Sequence, residues 1–158
     1  MRNPGSGLFQ SRTKFTKIIN YTNYLRWQVR ALHFRDDILP TVEEVLRKLE
    51  AAGYSSKDQF AVRLALEEAL VNAIKHGHKD DPSKEVRLRY QLTPYHLVAE
   101  IEDQGPGFNM SDVADPCAPE NLERPSGRGL LLMRRYMTSV SFNAAGNCVT
   151  LCRRRSDA

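Results

Sequence analysis

Three polar side chains, Glu68, Asn72 and Lys75, lie along one stripe of the helical pattern between residues 66 and 77. Residues four apart in a helix stack on one face, so Glu68 and Asn72 lie one turn apart and Lys75 returns to the same side. Glu67 points away from Asn72. A carboxylate, an amide and an ammonium are costly to bury unless they meet a ligand, a metal ion or a partner. The alternative is a helix whose polar edge lies in solvent.

A second pattern, Asp103-Gln104-Gly105-Pro106-Gly107, directly follows a predicted strand. A carboxylate at a strand end can accept a hydrogen bond from an exocyclic amine. The glycines let the backbone approach a flat ligand closely. Taken alone, this spacing is also common in ordinary turns.

A third pattern, Gly127-Arg128-Gly129-Leu130, runs into the start of a predicted helix. The N–H groups at a helix N-terminus favour an anion such as phosphate, and Arg124 and Arg128 can add charge-assisted hydrogen bonds. Taken alone, it also fits a flexible helix start. The chain contains neither a Walker phosphate loop nor a G-x-G-x-x-G dinucleotide fingerprint.

The elements that must position these patterns follow from apolar periodicity and from start and stop signals. Pro40 lies in the first turn of the first helix and Gly53 closes it. Ser56 and Gln59 match a capping box for the second helix. The long connection 105–129 is typical of a lid or binding loop. In chain order we predict a strand at 28–34, helices at 40–49 and 56–77, strands at 86–90 and 97–102, a helix at 130–137, and strands at 140–142 and 148–152.

This order predicts an α/β two-layer sandwich. Because neighbouring strands are joined by short turns, we expect a mostly antiparallel mixed sheet with helices on one face. The chain has 158 residues, enough for one core. We expect a flexible N-terminal arm at 1–20 and a single domain at 21–158.

Composition narrows the partners and the compartment. The net charge is +4, but the basic residues lie at both ends and are scattered between, so we expect no direct nucleic-acid partner. Three cysteines without a C-x-x-C pair form neither a zinc pattern nor a disulfide framework, which suits a reducing cytoplasm. No stretch is apolar enough to span a bilayer, so we expect no membrane partner and a cytoplasmic location.

In combination and in this order, the three patterns are far more specific than any one alone. E-x-x-x-N on a helix, D-x-G-x-G after a strand, a long connection and G-x-G-L opening a helix resemble the nucleotide-binding boxes of the GHKL superfamily. That superfamily includes gyrases, histidine kinases and the MutL repair proteins. The resemblance covers residues 28–154. Within it, the chain is most similar to the anti-sigma-factor serine/threonine kinases of bacterial partner-switching systems, above all over 66–77 and 123–129.

The resemblance implies a role for each residue of the helix pattern. Asn72 would ligate Mg²⁺ that bridges the phosphates of ATP, since an amide oxygen is a suitable ligand for a hard cation. Glu68 would be the catalytic base that accepts the proton of the attacking serine or threonine hydroxyl, or positions a water. Lys75 is counted with the nucleotide-binding residues.

The resemblance also implies a base-binding end. Asp103 would accept a hydrogen bond from the adenine amine, while Gly105 and Gly107 give the base room. A threonine in the last strand often supports the adenine through water in this family, and Thr150 is the candidate here. The hairpin reads Gly146-Asn147-Cys148, however, where the family usually has Gly-Thr.

The phosphate end falls on the third pattern. Gly127 and Gly129 would place backbone N–H groups against the phosphates, with Leu130 following them. Arg124 or Arg128 would offset the charge that shifts during transfer. The spacing around Pro125 leaves open which arginine meets phosphate.

The function implied is an ATP-dependent serine/threonine kinase that phosphorylates a STAS-domain anti-anti-sigma factor and binds a sigma factor. The resemblance also implies a possible homodimer. A second hypothesis is a nucleotide-sensing module that exchanges partners without phosphoryl transfer. Glu68 favours the kinase, because binding alone needs no base. A sensor histidine kinase is disfavoured, since no dimerisation helix pair with a phospho-accepting histidine precedes the domain and His33 lies in a strand-like segment.

Overall fold

The computed structural model describes residues 26–77, 79, 81–107 and 125–156. The predicted arm at 1–20 and Arg124 lie outside these residues. The elements in chain order are β1 (Gln28–Leu32), α1 (Ile38–Ala51), α2 (Ser56–Asn72), β2 (Val86–Leu92), β3 (His96–Glu102), α3 (Pro125–Tyr136), β4 (Ser139–Phe142) and β5 (Cys148–Arg154). A 3-10 turn at Arg35–Asp37 precedes α1, and a π-helical turn at Ala73–Gly77 extends α2.

The five strands form one sheet in the order β1-β2-β3-β5-β4, and all four pairings are antiparallel. Side chains alternate between the two faces of a strand. On β2 and β3 the inward positions, such as Leu88 and Ile101, are buried, whereas Arg89 and Glu102 face outward. This alternation is what the sequence predicted, and it confirms the α/β sandwich.

The helices cover the buried face of this sheet. Val42 and Leu49 of α1, and Leu66 and Leu70 of α2, pack in one cluster with the inward residues of the strands. Each of these side chains is at most 1% exposed. The core therefore fixes α2 against the sheet, which leaves its remaining edge for the polar stripe. None of the helices in the part of the chain that the structure describes is long and apolar enough to cross a membrane.

The predicted stop of α1 and the predicted start of α2 at residue 56 are confirmed, but the predicted capping residue of α2 is wrong by one position. Gly53 follows α1 with φ +83°, a left-handed conformation that glycine adopts without strain. The N-cap of α2 is Ser55 rather than Ser56, since Ser55 Oγ accepts a hydrogen bond from Asp58 N at 3.2 Å. Gln59 instead donates to the Tyr54 carbonyl at 3.0 Å.

α3 begins earlier than predicted. Its first residue is Pro125, not Leu130, because proline suits a first helical turn where its missing N–H is not needed. Gly127 and Gly129 consequently lie inside the helix rather than before it. In an α-helix the N–H of residue 129 pairs with the carbonyl of residue 125. The N–H of Gly127, in the first turn, has no intrahelical acceptor. Leu130 is a core residue, 6% exposed.

Candidate active site

Gly129 of α3 lies directly against the side chains of Glu68 and Asn72. A Cβ atom on Gly129 would sit 2.6 Å from Glu68 Oε2 and 3.3 Å from Asn72 Nδ2. Glu68 and Asn72 are half-buried and share one face of α2, as their spacing predicts. The helix pattern and the G-x-G-L pattern, about 55 residues apart in the chain, therefore meet at one point.

The neighbouring Glu67 is engaged on the other side of α2. Its Oε1 atom accepts a hydrogen bond from Arg63 Nη1 at 3.3 Å, and Arg63 Nη2 donates to Glu43 of α1 at 2.5 Å. Glu67 thus belongs to the contact between α1 and α2, whereas Glu68 faces α3. This arrangement supports the choice of Glu68 over Glu67 that helical spacing alone suggested.

Asp103, which follows β3, meets the end of the extended α2. The chain has room for its side chain only because Gly77 lacks a Cβ, which would overlap the Asp103 carboxyl group. Asp103 Oδ1 accepts a hydrogen bond from Gly105 N at 2.7 Å. A Cβ on Gly105 would lie 2.7 Å from the carbonyl carbon of Gly77. Both glycines therefore permit a close approach between the D-x-G-x-G loop and the π-helical turn.

The second glycine of the loop packs on the β4–β5 turn. Gly107 has φ +73°, and a Cβ there would overlap the Ala145 carbonyl oxygen. Asn147 of the same turn donates through Nδ2 to the Asp103 carbonyl at 3.1 Å and accepts from Asp103 N through its own carbonyl at 2.9 Å. Asn147 was not among the predicted site residues. Its position in place of the family's Gly-Thr was the signal that could have nominated it.

All three patterns thus converge on the last turns of one helix. Gly129 contacts it at Glu68 and Asn72, and Asp103 contacts it at Gly77. Gly77 is nine positions after Glu68, which corresponds to roughly 13 Å along a helix axis. An elongated ligand with distinct chemistry at its two ends would fit this spacing.

The remaining predicted residues are less closely placed. Lys75 and Arg128 are exposed. Thr150 alternates with the buried Val149 and Leu151 and therefore faces the outer side of the sheet, away from Glu68 and Asn72. The structure does not bring Thr150 to the cluster, and we leave it out of the proposed site.

The part of the chain that carries the three patterns matches a known family. The sequence profile described as the histidine kinase-like ATPase domain matches residues 33–153, most of the chain. The chain belongs to this family. The match covers every element that carries the site, from the turn before α1 to β5, and it confirms the ATP-binding family that the sequence patterns resemble.

Individual relatives point to one branch of the family. The chain is 27% identical over 97 residues to serine-protein kinase RsbW of Oceanobacillus iheyensis, covering 58% of this chain and 61% of the relative. It is 32% identical over 94 residues to serine-protein kinase RsbW of Bacillus licheniformis, covering 56% and 59%. It is also 32% identical over 89 residues to anti-sigma F factor of Clostridium perfringens, covering 54% and 63%. The chain thus spans about three fifths of the length of these relatives.

Proposed function

We propose that this protein is an ATP-dependent serine/threonine-protein kinase that also acts as an anti-sigma factor. The observation that carries the proposal is the convergence of Glu68, Asn72 and Asp103 on the last turns of the extended α2, where Gly77 and Gly129 allow close packing. The names of the relatives, serine-protein kinase and anti-sigma F factor, support both activities.

The residues at the two ends of the cluster fit ATP and Mg²⁺. Asp103 is half-exposed beside Gly105, so its carboxylate can accept a hydrogen bond from the adenine amine. Asn72 would hold Mg²⁺ through its amide oxygen, a neutral hard ligand. When bound, Mg·ATP supplies the phosphoryl group and neutralises part of the charge that develops on its oxygens.

The chain's own residues would then handle the proton and the anionic charge. Glu68 would accept the proton of the target hydroxyl, which makes that oxygen a better nucleophile. The N-terminus of α3 would present Gly127 N–H and the positive end of the helix dipole to phosphate. Either Arg128, which is exposed on the same turn, or Arg124 would add a charge-assisted hydrogen bond.

The proposed target is a serine or threonine on a STAS-domain anti-anti-sigma factor, and the proposed client is a sigma factor. Both come from the resemblance to partner-switching kinases, as does homodimerisation. In such a system, nucleotide binding and phosphorylation bias which partner surface is available.

The test is transfer of the γ-phosphate from labelled ATP to a STAS-domain protein. Wild type should transfer, and Glu68→Gln should still bind ATP but transfer about 10²–10⁴-fold more slowly, because the base is lost. Glu67→Gln is the matched control, since Glu67 lies on the α1 side and should leave transfer unchanged. If Glu68→Gln transfers phosphate as fast as wild type, Glu68 is not the catalytic base, and the nucleotide-sensing module is favoured.

A further inference from the structure

A second set of contacts joins α2 and α3 at the end opposite to Glu68. The side chain of Asp58, in the first turn of α2, has no solvent exposure. Arg153 of β5 donates to Asp58 Oδ1 from Nε at 2.9 Å and from Nη2 at 2.5 Å. Arg153 Nη1 donates to the backbone carbonyl of Tyr136, the last residue of α3, at 2.6 Å. One guanidinium group therefore holds the start of α2 and the end of α3 together.

The carboxylate of this link is fully hydrogen-bonded. Asp58 Oδ2 accepts from Ser55 Oγ at 2.9 Å, from Ser156 N at 3.1 Å and from Ser156 Oγ at 2.9 Å. Burial raises the pKa of Asp58, but the hydrogen bonds from Ser156, Arg153 and Ser55 outweigh it and lower the pKa to about 2. The ion pair is thus intact at neutral pH, and its positive partner complements the dipole at the C-terminus of α3.

α3 runs antiparallel to α2 and contacts it near both of its ends. At one end Tyr136 contacts Phe60 of α2, with ring centroids 5.8 Å apart and an edge-to-face angle of 79°. At the other end Gly129 lies against Glu68 and Asn72. Tyr136 is seven positions after Gly129, which corresponds to roughly 10 Å of regular helix. Because a helix this short moves as one rigid piece, a shift at Tyr136 displaces Gly129 as well.

We propose that Arg153 is a positioning residue for the phosphate end of the site. By binding Asp58 and the Tyr136 carbonyl at once, it sets how closely the N-terminal turns of α3 lie on Glu68 and Asn72. This inference rests on the proposed function, in which those turns face the phosphates of ATP while Asp103 faces the adenine.

The test is Arg153→Lys, with ATP and adenosine affinities measured side by side. Lysine keeps a positive charge beside Asp58, but its single ammonium lacks the planar fork that reaches Tyr136 as well. ATP affinity should fall about tenfold or more, as expected for a small misplacement of a binding group. Adenosine affinity should be unchanged, because the Asp103 end does not depend on α3. Equal losses for both ligands, or no loss for either, would overturn the inference.

Arg30→Lys is the matched control. Arg30 of β1 also donates from two nitrogens to one carboxylate, Glu44 of α1, at 2.8 Å and 2.5 Å. The hydrogen bonds of Arg30 tie β1 to α1, not α2 to α3. We expect its ATP-to-adenosine affinity ratio to match wild type. If Arg30→Lys lowers that ratio as much as Arg153→Lys does, the effect is a general one of replacing arginine, and the inference fails.

A separate readout covers two other outcomes. If wild type binds no ATP, the proposed function fails. Amide hydrogen exchange then tests, without any ligand, whether Arg153 positions the N-terminal turns of α3. Arg153→Lys should speed exchange at Leu130 and Leu131, at the far end of α3, relative to β2; unchanged exchange would overturn the inference. If Arg153→Lys does not fold, the double variant Asp58→Asn with Arg153→Met removes the pair without leaving a buried charge, and the same predictions apply.

Discussion

Gly129→Ala should stabilise the fold and impair the chemistry. Gly129 lies in the interior of α3, where glycine costs about 1 kcal/mol relative to alanine. The atom that the new methyl group would meet at 2.6 Å is Glu68 Oε2, the far end of a flexible side chain. Glu68 can swing aside without disturbing the backbone. We therefore expect stability to rise by up to about 1 kcal/mol, which shifts Tm upward by roughly 2–4 °C in a domain of this size.

The same movement displaces the proposed base. An ordinary contact begins near 3.4 Å, so Glu68 Oε2 must retreat by about 0.8 Å. A misplacement of this size costs up to about 10²-fold in rate, because proton transfer depends on hydrogen-bond distance. We expect phosphoryl transfer to fall about tenfold to a hundredfold. Nucleotide binding at the Asp103 end should change little.

The assay pairs thermal unfolding with γ-phosphate transfer on the same preparations. Arg134→Ala, an exposed position on α3 away from Glu68, is the control and should leave transfer unchanged. If Gly129→Ala lowers Tm, or if it transfers phosphate at the wild-type rate, the reasoning about Gly129 is refuted.

Three further predictions concern glycines and a buried acid. Gly77→Ala would place a methyl group against the Asp103 carboxyl group, so it should lower the free energy of unfolding by about 1–3 kcal/mol and also weaken ATP binding. A variant that unfolds at the same urea concentration as wild type would contradict this prediction. Gly107→Ala should destabilise by at least about 1 kcal/mol, because φ is +73° and the Ala145 carbonyl fills the space, and an unchanged urea midpoint would refute this. The lowered pKa of Asp58, about 2 against 3.8, stabilises the folded state by about 2 kcal/mol above pH 4, and this is lost as pH falls towards 2. Urea unfolding of wild type should therefore lose about 2 kcal/mol more than Asp58→Asn between pH 5 and pH 2, and parallel curves would contradict the assignment.

The polar pattern of α2 was predictable because helical spacing is a local property. Glu68 and Asn72 are four residues apart in any helix, and the buried Leu66 and Leu70 fix which face turns inward. The sheet could also be predicted from the sequence, since the alternation of apolar and polar residues along β2 and β3 matches the alternation of buried and outward-facing side chains in the structure. The capping residue was misplaced by one, as Ser55 and Ser56 are chemically equivalent in the sequence and only the position of Asp58 distinguishes them.

The tertiary contacts between the three patterns could not be predicted from residue spacing in the sequence. Gly129 meets Glu68, and Gly77 meets Asp103, only after the chain has folded back on itself. Gly105 was predicted to make room for ligand and Gly129 to offer an N–H group, whereas both of them, together with Gly77, permit close packing between protein segments. The link between Asp58 and Arg153 spans 95 residues and has no local signature.

The most direct test of the central claim is calorimetry of ATP binding with and without Mg²⁺ on wild type, Asn72→Ala and Asp103→Asn. We expect Mg²⁺-dependent binding to wild type and its loss in both variants, one at the phosphate end and one at the adenine end. If wild type binds no nucleotide, or if both variants bind ATP as wild type does, the convergence of the three patterns on α2 is not an ATP site.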